Sequence, residues 1–179
     1  DIDVAMMIHT NSDPAMAKTG IAASMNGFVS KLIRFVGKAA HAGGGPHLGI
    51  NALNAALIAM SAIHAQRETF RDENSVRIHP IITKGGDIVT VVPADVRMET
   101  FIRGKTKEAI LDANKKVDRA LRAGAMAVGA SVEIETLPGY LPLKNDPGLT
   151  DVFETNSKNL FYNEPFTRMG HRASSTDLG

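Results

Sequence analysis

Six histidines and the absence of cysteine limit the chemistry open to this 179-residue chain. Without thiols there is no disulfide framework and no thiolate-bound zinc, so any metal must be held by imidazole and carboxylate groups. His9 follows a short apolar run and precedes turn-forming residues, and His41 begins a glycine-rich loop where the backbone can approach a ligand closely. The other four histidines are interpreted as loop, helix-surface or strand-face residues without a ligand role: His47, His64, His79 and His171.

The elements that must position these histidines follow from the periodicity of the apolar residues. Short apolar or alternating runs predict strands, and apolar spacings of three and four predict helices. The predicted elements are strands at 3–8 and 28–36, a helix from residue 50 to about residue 70, strands at 75–83 and 95–103, a helix from Thr106 to Val128 capped by Gly129, and a strand at 131–137. Because proline cannot donate to a ladder, Pro80 indicates that the strand at 75–83 lies at an edge.

The order strand, helix, strand, strand, helix, strand over residues 28–137 predicts an α+β fold of the ferredoxin-like, split β-α-β type. Its two helices lie on one face of a four-stranded antiparallel sheet. The flanks are mostly turns and short strands, which cannot bury a core alone. We therefore expect residues 27–138 to be a domain inserted in a truncated α/β catalytic domain, whose remnants, residues 1–26 and 139–179, are adjacent in space. The chain opens at Asp1 without an initiator methionine, and we interpret it as a fragment.

Composition excludes several classes of function. Lys and Arg number 20 and Asp and Glu 19, so the net charge of +1 offers no electrostatic attraction to nucleic acid or to an anionic membrane. Aromatic residues make up only 5% of the chain, which argues against an RNA-recognition sheet. No apolar run approaches the ~18 residues that a membrane span needs.

The segment at 37–52 reads GKAAHAGGGPHLGINA. It resembles the signature loop of the dinuclear metal amidohydrolases, the M-twenty metallopeptidases, which include aminoacylases, carboxypeptidase G, aminobenzoyl-glutamate hydrolases and Xaa-basic dipeptidases. The resemblance continues through GGD at 85–87, VVP at 91–93, RG at 103–104 and STD at 175–177. It covers essentially the whole chain in the same order.

The resemblance implies specific roles for several residues. His9 matches a metal-binding histidine, and His41 matches a catalytic lid histidine that reaches the substrate. Arg103 matches an arginine that binds a substrate carboxylate with two hydrogen bonds. Further substrate contacts implied by the resemblance are Thr90, Ser174, Ser175 and Thr176. The implied cofactors are two divalent metal ions per full-length subunit, zinc first, with manganese and cobalt as alternatives.

The resemblance also implies a cytoplasmic homodimer, joined through the inserted lid domain, that cleaves small N-acyl amino acids, aminobenzoyl-glutamate-like compounds or dipeptides with metal-activated water. Two departures stand out. Thr90 replaces an asparagine common in relatives, and the family's His-x-Asp motif, Glu-Glu pair and final metal histidine are absent. We therefore expect the 179-residue chain alone to be inactive. The alternative interpretation is a ferredoxin-like dimerisation or binding module without catalysis.

Overall fold

The computed structural model describes residues 2–10, 19–162 and 164–178. The strands, in chain order, are β1 (Thr19–Met25), β2 (Gly27–Val36), β3 (Arg77–Ile78), β4 (Ile81–Lys84), β5 (Asp95–Gly104), β6 (Ser131–Pro138), β7 (Leu143–Lys144) and β8 (Phe166–Arg172). The helices are α1 (Ala52–Ala65), α2 (Lys107–Val128) and α3 (Pro147–Leu160). The mixed α+β fold that the sequence predicts is confirmed.

The larger sheet is antiparallel and has the order β3–β5–β2–β6, with β4 also paired to β5. The predicted edge strand is thus divided into β3 and β4, with Pro80 between them. Alternate residues of β5 are buried against the helices: Val96, Met98, Thr100 and Ile102. The intervening side chains point to the opposite face, as the period of two in the sequence predicts.

Both helices of this domain begin where a polar side chain caps them. The Asn51 side chain accepts hydrogen bonds from the N–H groups of Leu53 and Asn54, and Thr106 accepts one from Ala109. Helix α2 ends at Gly129, whose φ of 74° is the left-handed conformation that glycine adopts without strain. Helix α1 ends at Ala65, earlier than predicted, because the apolar period stops at Ile63. The polar residues Arg67–Thr69 that follow form a single turn of 3-10 helix.

Small residues allow α1 and α2 to pack closely over the sheet. Ala55 and Ala59 are fully buried, and a Cβ atom on Gly124 would lie 2.6 Å from the Ala55 carbonyl oxygen. Beneath the helices, the core includes Phe35, Met98 and Leu121. A side chain at residue 124 would force the helices apart.

A buried ion pair lies under α2. Lys31 is completely buried, and its Nζ atom contacts Asp118 Oδ1 at 2.5 Å and Thr136 Oγ1 at 2.6 Å. The pair joins β2, β6 and α2, because each partner comes from a different one of these elements. A buried ammonium group needs such partners to offset the loss of its hydration.

The two flanking segments form a second, three-stranded sheet. Strand β1 pairs with β8 in parallel and with β7 in antiparallel orientation. Helix α3, which no pattern in the sequence predicted, begins at Asp146, whose side chain accepts a hydrogen bond from the N–H of Leu149. Segments before residue 27 and after residue 138 therefore pair in one sheet.

The prediction of a strand at 3–8 is wrong. Residues 2–10 form no strand, and Met6 and Ile8 are 61% and 82% exposed. An apolar run adopts a strand only beside a partner ladder, and in the described part of the chain no segment pairs with this one. His9 consequently follows an exposed segment without regular secondary structure and does not end a strand. Helix α2 is the longest helix, and no helix in the described residues is long and apolar enough to cross a bilayer.

Candidate functional site

The His41 loop is fastened to residues 90–94 by backbone hydrogen bonds. The N–H of Ala42 donates to the Thr90 carbonyl at 2.8 Å, and the N–H of Val92 donates to Ala40 at 2.9 Å. His41 itself forms an isolated bridge with Val91. These bonds bring two predicted site residues, His41 and Thr90, together at the end of the sheet where β2 stops.

The His41 ring is oriented by two glycine N–H groups. Gly44 N lies 2.8 Å and Gly43 N 3.2 Å from the imidazole Nδ1, and a backbone N–H can only donate. The Nδ1 atom must therefore be the acceptor, and in the neutral ring the proton is on Nε2. Because His41 is exposed, this Nε2–H group is presented to solvent as a hydrogen-bond donor.

Arg103 lies at the opposite end of the same sheet. It pairs with Phe28 on β2, and its guanidinium carbon lies 5.1 Å from the Phe101 ring centroid and 6.0 Å from that of Phe28. Tyr140 packs edge-on against Phe28 at 5.0 Å. The two guanidinium distances are within the range of cation–π contacts, so the Arg103 guanidinium lies beside an aromatic cluster.

The Ser174–Thr176 segment lies at this same end, next to the start of β2. The N–H of Asn26 donates to the Ser174 carbonyl at 2.9 Å. Ser174 is exposed, Ser175 is half-buried and Thr176 is buried, with its hydroxyl 3.4 Å from the Met7 sulfur. This contact places Met7, two residues before His9 in the sequence, beside the segment.

Asp177 hydrogen-bonds to the Tyr140 hydroxyl, and this bond to a carboxylate raises the pKa of Tyr140 above its ordinary value. The bond ties the Ser-Thr-Asp segment to the aromatic rings around Arg103. Sequence reasoning missed Tyr140 and Phe28, since an aromatic residue in a strand or turn carries no pattern that marks it as part of a site.

The structure therefore divides the predicted residues into two groups. His41 and Thr90 lie at one end of the sheet, and Arg103 and Ser174–Thr176 at the other. The eight residue steps of β2 between Phe28 and Val36 correspond to roughly 26 Å of strand. Among residues 2–10, 19–162 and 164–178, no group of three or more histidine, aspartate or glutamate side chains could together hold a metal ion.

Comparison with known proteins identifies relatives over most of the chain. The peptidase dimerisation domain family matches residues 24–127. The Xaa-Arg dipeptidase of Mus musculus is 27% identical over 183 residues, which span 100% of this chain and 41% of the dipeptidase. A p-aminobenzoyl-glutamate hydrolase homolog of Haemophilus influenzae is 28% identical over 122 residues, covering 68% of this chain and 28% of the homolog.

Solved structures share the fold. A tripeptidase from Staphylococcus aureus superposes with a TM-score of 0.71 at 20% identity, covering 91% of this chain and 42% of the tripeptidase. An aminobenzoyl-glutamate utilization protein from Klebsiella pneumoniae gives a TM-score of 0.67 at 21% identity, covering 90% of this chain and 43% of that protein. The chain thus spans well under half the length of these relatives.

Proposed function

Because this chain belongs to the peptidase dimerisation domain family, we propose that it forms the lid and dimerisation part of a metal-dependent amidohydrolase or peptidase. The full-length enzyme would cleave the amide bond of small N-acyl amino acids, aminobenzoyl-glutamate-like compounds or dipeptides. The relatives named as a dipeptidase and as an aminobenzoyl-glutamate hydrolase homolog support this range of substrates. All of these substrates carry a free carboxylate beside the scissile amide.

The oriented His41 ring carries the proposal. Hydrolysis of an amide passes through a tetrahedral intermediate whose oxygen becomes negatively charged, and a fixed N–H donor aimed at that oxygen lowers the barrier. Gly44 fixes the His41 tautomer so that Nε2–H is the donor. The hydrogen bonds from Ala42 and Val92 hold the loop, so the donor needs little reorganisation when charge develops.

Arg103 is suited to bind the substrate carboxylate. Its guanidinium forms no ion pair with the acidic residues that the structure describes. Arg97, on the same face of β5, is instead near Asp95 at 3.6 Å. An arginine that lies against aromatic rings and has no carboxylate partner can make two parallel hydrogen bonds to a ligand carboxylate.

The separation of His41 from Arg103 supports a site shared between two protomers. Residues roughly 26 Å apart on one continuous sheet cannot contact the same small substrate. We propose that Arg103 serves the site of its own protomer, whereas His41 serves the site of the partner protomer. The edge formed by β3 and β4 is the proposed dimer contact, with Leu57, Ile58 and Ile81 exposed beside it at 48%, 40% and 53%.

The metal ions require ligands beyond those described. The peptidases of this family are generally metal-dependent. His9 can contribute at most one ligand, and its Nδ1 lies 2.6 Å from the Thr10 carbonyl, so only Nε2 is available to a metal. The described residues therefore do not build a metal centre by themselves, and the proposed pair of zinc, manganese or cobalt ions would need further carboxylates and histidines. Cytoplasmic localisation is retained as a prediction.

The test is hydrolysis by the full-length protein. Loaded separately with zinc, manganese and cobalt, it is assayed against an N-acetyl amino acid, p-aminobenzoyl-glutamate and an Xaa-Arg dipeptide. We expect activity that a chelator abolishes, and none from the 179-residue chain. Arg103→Ala should raise KM at least tenfold, whereas Arg97→Ala, on the same strand and face, should not. A dimer that hydrolyses none of these substrates would favour the non-catalytic dimerisation module.

A further inference from the structure

Asn26 occupies the point where the chain passes from the three-stranded sheet into the inserted domain. It is 1% exposed, and its side-chain amide donates to the carbonyl oxygens of Ser75 at 2.9 Å and Ala173 at 3.1 Å. Its backbone N–H lies 2.9 Å from the Ser174 carbonyl and 3.2 Å from that of Arg172. One buried residue at the passage from β1 to β2 therefore binds both the segment that follows β8 and the segment that precedes β3.

His171, whose ring contacts the Asn26 side chain, is held in one tautomer. Both Nδ2 hydrogens of Asn26 are used on carbonyl groups, so Oδ1 must accept from His171 Nε2, which lies 2.9 Å away. The Nδ1 atom of His171 then accepts from the Ser24 hydroxyl at 2.9 Å. Burial, and to a lesser extent the charge of Lys105, lowers the pKa of His171 below its ordinary value.

The segment on the domain side of Asn26 is also constrained. Ser75, whose carbonyl accepts from Asn26, has a φ of 49°, and it is the one non-glycine residue with positive φ in the described residues. Such a backbone persists only where neighbouring contacts hold it. The hydrogen bond from Asn26 and one from the Ser75 N–H to Asp72 supply those contacts.

We infer that Asn26 and His171 are positioning residues that fix the Ser174–Thr176 segment against the inserted domain. The backbone N–H of Asn26 binds the carbonyls of Arg172 and Ser174, on both sides of Ala173. His171, near the end of β8, orients the side-chain amide of Asn26. Losing either member leaves buried polar groups unpaired. The inference rests on the proposed function only for the role of Ser174–Thr176 in binding substrate.

The first test begins with the unmodified protein and then compares two variants. In full-length protein labelled with nitrogen-15 at histidine, the His171 ring should carry its proton on Nε2 at neutral pH and titrate below its ordinary value of 6.5. Asn26→Asp places a carboxylate against Nε2 and should raise that titration midpoint by roughly one to two pH units. Asn54→Asp, the same change at an exposed position on α1, should leave it unmoved.

The second test measures the segment itself. Asn26→Asp removes the donors to Ser75 and Ala173, so tryptic cleavage after Arg172 should accelerate at least tenfold and kcat/KM should fall roughly 10- to 100-fold. His171→Gln retains an N–H donor toward Asn26 and should stay much closer to the wild type than His171→Leu. Asn54→Asp should match the wild type in both measurements.

A ring proton on Nδ1 in the unmodified protein would overturn the inference whether or not any variant folds. A folded Asn26→Asp protein with unchanged cleavage after Arg172 would overturn it as well. If the full-length protein hydrolyses no substrate, the proposed function fails, and the titration and cleavage results still decide the positioning role independently.

Discussion

Replacement of His41 by alanine should slow catalysis and leave the fold intact. The side chain is exposed and contributes nothing to the core, and the loop is held by backbone bonds from Ala42 and Val92 that do not involve the imidazole. The loss is one oriented N–H donor to the developing oxyanion. Removal of such a donor typically lowers kcat by about 10²–10³, equivalent to roughly 3–4 kcal/mol.

We expect the fall in kcat to depend on the orientation of the donor as well as on its presence. A second variant, which keeps a donor but lacks the imidazole ring, separates these two contributions. Glutamine at residue 41 offers an N–H group but lacks the ring that Gly44 orients at 2.8 Å. We therefore expect His41→Gln to recover only part of the loss. His47→Ala, an exposed histidine in the same loop, is the matched control and should keep wild-type kcat and KM.

Mixed dimers test whether His41 acts across the dimer interface. In a dimer of one His41→Ala protomer and one Arg103→Ala protomer, one site would combine an intact Arg103 with the partner's intact histidine. Random mixing makes about half of the dimers mixed, each with one competent site, so activity at substrate concentrations well below the wild-type KM should return to about a quarter of the wild type. A mixture no more active than its two parents under these conditions would refute the shared site.

Three further predictions concern stability and assembly. Asp118→Ala leaves the Lys31 ammonium buried without a carboxylate and should cost about 3–5 kcal/mol in urea unfolding, whereas Lys31→Met should cost less, because Asp118 is 31% exposed and can be hydrated. Hydrogen bonds from Arg34 and Lys84 lower the pKa of Asp95 to about 2. The ionised Asp95 therefore stabilises the folded state fully above the ordinary pKa of 3.8, and this stabilisation is lost as the pH falls toward 2. The free energy of unfolding of Asp95→Asn should consequently fall less between these pH values than that of the wild type, by under about 1 kcal/mol. Ile81→Lys should shift the dimer toward monomer in light scattering, and an unchanged mass would exclude β4 from the interface.

The sequence predicted most of the helices and strands between residues 27 and 138, because the pattern that marks each of them lies within its own residues. The alternation in β5 and the apolar stripe and caps of α2 are visible within their own residues. Helix α3 was missed because the residues it buries are Thr150 and Ser157, which contribute nothing to an apolar period. The pairing of Asp146 with Pro147 at its start was the available signal.

Contacts between distant residues were beyond sequence reasoning. In the sequence, Lys31 is a single charged residue in a strand with alternating apolar residues. Nothing near it in the sequence indicates that its side chain forms an ion pair with Asp118. His171 was interpreted as a loop residue, but it lies in β8 because β1, about 145 residues earlier, provides its ladder. The glycine-rich sequence marked His41 as a candidate, yet its tautomer depended on loop geometry that only coordinates reveal.

The two ends of the inserted sheet are suited to different tasks because one of them lies at the attachment to the flanking sheet. Strands β2 and β5 pair over ten residues without a register shift, so we expect any rotation of the domain to carry this sheet as one rigid unit. A rotation of about 10° at Asn26 would move the far end of β2, roughly 26 Å away, by about 4–5 Å, while Arg103 beside the axis would hardly move. If Arg103 binds the substrate carboxylate as proposed, the carboxylate would be held at the end that hardly moves. If His41 is the proposed oxyanion donor, its position at the far end would make its reach sensitive to a small rotation.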